Sequence, residues 1–219
     1  MPLAGRASVK RLAKRLSGAT DTLEGSNSIL FTFDDGPHPE VTPRILSLLE
    51  KYRAKAVFFV VGARIPLAPQ LLGRILEEGH ALGNHSFSHP NHHVPAPLAY
   101  LADLRQCQRA VQDLTGKAPR LFRPPLGRLT AGGILASRYL GLKTLLWSLD
   151  TGDWRLKEPL AAQTRALEVA QDLSTRSTRH EILLMHDDNP CSVEILEVLL
   201  PRIAEMGCDL TGPLDFVLS

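Results

Sequence analysis

Cysteine is scarce in this chain, and charge of a single sign does not dominate it. Three cysteines among 219 residues, Cys107, Cys191 and Cys208, are odd in number and widely spaced, which excludes a dense disulfide framework. The 25 basic and 23 acidic residues leave a net charge of +2, so nothing argues for nucleic acid as a partner. No apolar run reaches the length needed to span a bilayer. Nor does an apolar leader segment follow the basic residues Arg6, Lys10, Arg11, Lys14 and Arg15, because residues 16–24 are small and polar. The expectation is a cytoplasmic protein with reduced thiols. Residues 1–26 read as a basic arm, able at most to make weak peripheral contact with acidic lipid. Repeats and low-complexity tracts are absent, and 44% of residues are hydrophobic, so residues 27–219 read as one domain with a sizeable core.

What is present is a rhythm. Strand-like apolar runs at 28–33, 56–61, 80–84, 120–123, 143–148, 181–186 and 216–218 alternate with helical patterns. Val41, Ile45, Leu48, Leu49 and Tyr52 follow a 3.6-residue period, as do Leu71, Leu72, Ile75 and Leu76 before Gly79. Further helices are expected over 96–114, 129–140, 159–173 and 193–206, the last kinked or restarted at Pro201. Cys107 lies on a stripe with Leu98, Leu101, Leu104, Val111 and Leu114, which marks it as a buried helix residue. Strands alternating with helices favour a parallel sheet with helices outside, and seven strands suit a barrel. In such a barrel chemistry collects in the loops after the strands.

The unusual polar residues fall there. Thr32-Phe33-Asp34-Asp35-Gly36-Pro37 ends the first apolar run with two adjacent acids, which a core strand does not need. His85-Ser86-Phe87-Ser88-His89 follows the third run and spaces two imidazoles four apart, on one face if the segment is a helical turn. His92 and His93, just beyond, read as a solvated loop. Two histidines with one carboxylate form a ligand set for a catalytic zinc or similar divalent ion. One acid of the pair then ligates, and the other stays free to take a proton. Arg123, in Arg123-Pro124-Pro125-Leu126-Gly127, is a candidate cation to hold that free acid, and its rigid loop can aim a backbone N–H at an oxyanion. His186 ends the apolar run Ile182-Leu183-Leu184-Met185, and Asp150 or Asp153 can keep it protonated as a general acid. Trp154 is a candidate wall for a sugar groove, with core packing as the competing reading.

These motifs resemble those of the polysaccharide deacetylases of carbohydrate esterase family 4, the NodB-homology domain. Residues 32–37 are similar to its first motif, and 85–89 to its H-[ST]-x-x-H motif. Residues 123–127 resemble the third, Asp150-Thr151-Gly152-Asp153-Trp154 the D-x-x-D-W fourth, and Leu184-Met185-His186 the L-x-H fifth, all in family order. The resemblance runs from Asn27 to the end of the chain. It implies a distorted (β/α)7 TIM-like barrel and metal-dependent removal of N-acetyl or O-acetyl groups from sugars; the reading is an N-acetylated poly- or oligosaccharide substrate, and the expected cytoplasmic location suggests an exopolysaccharide precursor. By position it implies Asp34 as general base and Asp35, His85 and His89 as metal ligands. It makes Arg123 the residue that orients Asp34, His186 the general acid, and Asp153 the residue that tunes it. Pro125, Leu126, Trp154 and Leu184 would contact substrate, with Leu184 against the acetyl methyl. The implied ion is zinc first, with cobalt, nickel or manganese as alternatives. An aromatic residue usually stands where this chain has Leu126. Asp187-Asp188-Asn189-Pro190 adds charge beside His186 with no assigned role. The competing functions are an O-acetyl esterase of the xylan type and a glycan-binding module without catalysis. The full set Asp34, Asp35, His85, His89, Arg123 and His186 argues against the latter.

Overall fold

The computed structural model describes residues 14–15, 17–23, 27–90, 96–176 and 180–219. The start of the basic arm, with Arg6, Lys10 and Arg11, lies outside them, as do His92 and His93. Seven strands form one sheet: β1 Ser28–Asp34, β2 Ala56–Val60, β3 Ala81–Asn84, β4 Leu121–Phe122, β5 Lys143–Thr144, β6 Leu149–Asp150 and β7 His180–His186. Among the described residues, the α-helices named in chain order are α1 Val41–Lys51, α2 Gln70–Glu77, α3 Pro97–Thr115, α4 Ala131–Tyr139, α5 Pro159–Thr175, α6 Cys191–Glu205 and α7 Gly212–Leu218. Every strand pairing is parallel, in the order β5-β4-β3-β2-β1-β7-β6. β5 and β6 are neighbours in sequence but stand at opposite edges of the sheet. The curled sheet is therefore the distorted (β/α)7 barrel with its seam between them.

β1 is central and buried at all seven positions, as a parallel strand covered on both faces must be. Successive side chains point to opposite faces. Ile29, Phe31 and Phe33 pack outward with Phe58, Leu183 and Met185 against α1, α5 and α6. Leu30 points inward with Val57, Phe59 and Ile182, where Leu214 and Val217 of α7 fill the interior. Each large apolar side chain so buried contributes roughly 1.5–3 kcal/mol. The same alternation carries Thr32 and Asp34 to the inside, with Asp34 at the mouth.

Register then sets the site. Asp34 is level with Phe59 on one side and His186 on the other. Asn84 is level with Val60 and with Phe122. The residues that follow these ends, Asp35, His85 and Arg123, are thereby brought to one rim.

Four expectations change. Residues 216–218 belong to helix α7, not to a strand, and the seventh strand arises because 143–150 breaks into β5 and β6. Helix α6 runs through Pro201 without restarting. The stripe on α3 is narrower than its apolar residues suggest: Leu104, Cys107 and Val111 are buried, whereas Leu98 and Leu114 are exposed. Residues 85–89 are an irregular loop rather than a helical turn. The three cysteines are free, and burial pushes the Cys107 thiol up to about 12. Among the described residues no helix is long and apolar enough to cross a membrane.

Candidate active site

Asp34 is buried at the end of β1 and is held from one side. Arg123 donates from Nη1 to its Oδ1 at 2.9 Å and to Thr32 Oγ1 at 2.7 Å. The remaining guanidinium donors reach Leu145 O at 3.0 Å from Nε and Leu146 O at 2.8 Å from Nη2. The plane stacks over Phe59, 4.3 Å from the ring centre. Burial lowers the Arg123 pKa and Asp34 works the other way, but a guanidinium stays ionised either way. Arg123 is therefore a fixed cation with its geometry set by four hydrogen bonds. Thr32 was not anticipated, although it sits two residues before Asp34 on the same face of the strand.

The other oxygen, Asp34 Oδ2, lies 3.6 Å from His85 Nε2. That nitrogen is also 3.6 Å from Asp35 Oδ1, and His89 Nε2 is 3.2 Å from the same oxygen. One ligand atom each from Asp35, His85 and His89 lies within 4.8 Å of the others. Asp35 Oδ1 is buried and makes no hydrogen bond, as expected of an oxygen reserved for an ion. His85 Nδ1 lies 2.8 Å from the Arg123 carbonyl, which can only accept, so Nδ1 carries the proton and Nε2 presents its lone pair. Burial presses the His85 ring toward its neutral form, against the pull of Asp34 and Asp35. These donors fit a divalent metal.

The loop between the two histidines is shaped by polar side chains. Ser86 N donates to Asn84 Oδ1 at 2.8 Å and His89 N to Ser86 Oγ at 3.0 Å. From α3, Asp103 accepts from Phe87 N at 2.9 Å and from Ser88 N at 3.1 Å. Ser86 and His89 take positive φ of 68° and 47°. The imidazoles therefore converge by an anchored loop, with no helical turn involved.

Across the mouth, His186 Nδ1 lies 2.9 Å from Asp153 Oδ1, while Asp150 Oδ1 accepts from Gly152 N instead. Burial opposes a charge on His186, but the hydrogen bond and charge of Asp153, with Asp34 and Asp35 beyond, raise its pKa to about 9. Asp153 is fully buried. It also accepts from Trp154 N at 2.9 Å, His186 N at 2.6 Å and Ser192 Oγ at 2.5 Å, so its acceptor capacity is filled. Ser192, at the start of α6, gave no motif signal.

A cavity of about 930 Å³ opens over this rim. Leu126, Trp154, Leu184 and His186 line it, together with Trp147, which sequence reasoning passed over. Arg123 and Asp153 lie beneath it. Pro125 is buried and does not line it. Leu126 holds a left-handed conformation at φ 57°, a strain typical of functional loops. Among the described residues none accepts a hydrogen bond from its backbone N–H.

The two acids after His186 separate. Asp187 is buried, accepts from Thr42 Oγ1 at 2.6 Å, and lies where a Gly36 side chain would be, 2.0 Å from an ideal Cβ. That close approach is why the first motif needs glycine after its acids. Burial pushes the Asp187 carboxyl up to about 7. Asp188 turns away to meet Arg64.

The chain is similar in sequence and fold to known proteins. The polysaccharide deacetylase family model matches residues 23–145. A peptidoglycan-N-acetylglucosamine deacetylase of Listeria monocytogenes is 34% identical over 179 residues, covering 82% of this chain but 36% of the relative, so the chain spans little more than a third of that protein's length. A chitooligosaccharide deacetylase of a Bradyrhizobium species is 31% identical over 203 residues, covering 86% of this chain and 90% of the relative. The solved structure of the Bacillus subtilis peptidoglycan deacetylase PdaC gives a TM-score of 0.75 at 28% identity, covering 89% of this chain and 92% of that one. A model matched over more than half the sequence, and identities above 30% across most of it, join the geometry of the rim in one conclusion: the chain belongs to the polysaccharide deacetylase family.

Proposed function

We propose that this protein is a metal-dependent hydrolase that removes N-acetyl groups from amino sugars of an oligo- or polysaccharide and releases acetate. The observation that carries the reading is the meeting of three ligand atoms, from Asp35, His85 and His89, within 4.8 Å and directly beside the free oxygen of Asp34. Two imidazole nitrogens with one carboxylate oxygen suit zinc. Such an ion lowers the pKa of water toward neutrality and polarises an acyl oxygen.

The protein's own groups divide the remaining work. Asp34 takes a proton through Oδ2 from the attacking water, while Arg123 keeps Oδ1 fixed. The water oxygen adds to the acetyl carbon. The N–H of Leu126 is the donor proposed for the oxygen that gains charge. His186 is protonated at neutral pH, since Asp153 raises its pKa to about 9, and it gives a proton to the nitrogen as the carbon–nitrogen bond breaks. Acetate and a free amino sugar result. Leu184 packs the acetyl methyl, and Trp147 and Trp154 offer ring faces to the sugar. The relatives named for peptidoglycan and chitooligosaccharides support N-acetylglucosamine polymers as the substrate class.

The test is acetate release with and without a chelator from chitooligosaccharides, peptidoglycan fragments and acetylated xylan. Chelator-sensitive release from an N-acetyl glycan is expected. Release from xylan alone would replace the reading with O-acetyl esterase chemistry, and release from none would favour a binding module.

A further inference from the structure

Arg64 stands outside every motif considered so far. It follows β2 in the short 3-10 turn Gly62–Leu67. Its Nη1 donates to the backbone oxygen of Asp35 at 2.5 Å and to Asp188 Oδ2 at 2.6 Å. One nitrogen carries two hydrogens, so both bonds form together. The three residues come from the loops after β2, β1 and β7, which are adjacent strands in the sheet. Arg64 thus bridges its two neighbours across the loop that carries Asp35.

Asp35 needs that support. It holds φ at 75°, a left-handed conformation that a residue with a side chain adopts at a cost and keeps only when its surroundings hold it. Its carbonyl is tied by Arg64, and its Oδ1 lies at the point shared with His85 and His89. Releasing the carbonyl frees the backbone to turn and carries the carboxylate off that point. The Arg64 and Asp188 side chains are 38% and 28% exposed, so their ion pair contributes little to global stability.

We infer that Arg64 is a positioning residue for the metal ligand Asp35, and that Asp188 acts by holding Arg64 in place. The inference rests on the metal-site reading above. It assigns Asp188 a role, and it predicts an effect of counterintuitive sign. Removing a cation beside a divalent site tightens metal binding if charge alone matters. Removing a positioning group loosens it.

The experiment strips the full-length protein with a chelator and titrates Zn2+ alone against a chromophoric competitor. Arg64→Ala is expected to raise the Zn2+ Kd roughly tenfold, with the unfolding temperature of the metal-free protein unchanged. Arg64→Lys should recover part of the loss, since one ammonium can still reach a carbonyl. Asp188→Asn should weaken binding less, and the double variant should be no weaker than Arg64→Ala alone, the non-additivity expected if Asp188 works through Arg64. Should Arg64→Ala fail to fold, Arg64→Met carries the same test, because it keeps the length and apolar stem of the side chain and removes every donor to the carbonyl. Tighter binding by the arginine variants overturns the inference. So does a Kd within about twofold of the parent, the scatter of an uncoupled site. His85→Ala is the control: if it too keeps its Zn2+ affinity, the metal-site reading has failed, whereas its loss beside intact binding by the Arg64 variants sinks only the inference.

Discussion

His85 and His186 occupy similar places and have opposite chemistry. Both end or follow a strand at the barrel mouth, both are largely buried, and both feel Asp34. The difference lies behind each ring. His85 donates a hydrogen bond from Nδ1–H to the Arg123 carbonyl, a neutral dipole; burial outweighs it and the pull of Asp34 and Asp35, so its pKa falls and Nε2 keeps its lone pair. His186 meets the Asp153 carboxylate; burial opposes a charge on the ring, but the hydrogen bond and charge of Asp153, joined by Asp34 and Asp35, together outweigh it, so its pKa climbs to about 9 and both ring nitrogens carry protons. On the proposed function, the first ring serves as a ligand and the second as a proton donor. The choice is made by a backbone oxygen in one case and a buried acid in the other, neither of which faces the substrate.

The comparison is tested most severely by deleting each ring. His85→Ala is expected to lose bound zinc, measured by elemental analysis, and to lose turnover with it. His186→Ala should keep full zinc stoichiometry while its rate falls about 10²–10⁴-fold, the contribution of one general acid. If His186→Ala sheds the ion, or His85→Ala retains it, the division of labour is wrong.

A gentler change should convert one environment toward the other. Asp153→Asn replaces the charge behind His186 with a neutral amide. The parent enzyme should lose activity as pH rises through about 9, where its donor deprotonates. In the variant that limb should move toward the ordinary histidine value, roughly 6.5, with a rate deficit of about 30-fold near pH 8. Stability carries the same signature. A raised folded-state pKa stabilises fully below the unfolded value of about 6.5, and that contribution is lost as pH rises through about 9. Urea unfolding across this range should show the decline in the parent and a flatter profile in Asp153→Asn. Superimposable profiles would mean that Asp153 does not set the charge on His186.

Much of this contrast could be read from the sequence, because parallel strands bring their ends to one rim. Asp34, His85, Arg123 and His186 each end or follow an apolar run, and register makes them neighbours. What sequence could not carry was geometry that several backbones satisfy. The four-residue spacing of His85 and His89 fits a helical turn and an anchored loop equally, and Asp103, which decides between them, lies on a different element. Three apolar residues at 216–218 are too few to show a period, so strand and helix were indistinguishable. Pro201 lies inside a helix whose apolar face is buried over several turns, and packing overrode local propensity. From the residues alone Asp150 and Asp153 were both candidates and only the resemblance favoured Asp153; the turn after Asp150 is what sets the Asp153 carboxylate against His186. Arg64 acts on a carbonyl, and carbonyls carry no sequence signal.

The smallest expected effect examines whether the two sides are independent. Asp103 shapes only the His85 side, through two charge-assisted bonds to the N–H groups of Phe87 and Ser88. Bonds of this kind contribute about 1.5–3 kcal/mol when buried, and less here because Asp103 is half-exposed and Ser88 meets solvent. Asp103→Ala should therefore loosen the loop and raise the Zn2+ Kd a few-fold, far less than the loss of a ligand. Asp103→Asn keeps one acceptor, so it should fall between the parent and Asp103→Ala if hydrogen bonding matters more than charge. Neither variant reaches Asp153, and the alkaline limb governed by His186 should stay near pH 9 in both. A limb that moves with the zinc affinity would show that the rim responds as one coupled unit, and the opposition between the two histidines would then belong to the whole site rather than to the group behind each ring.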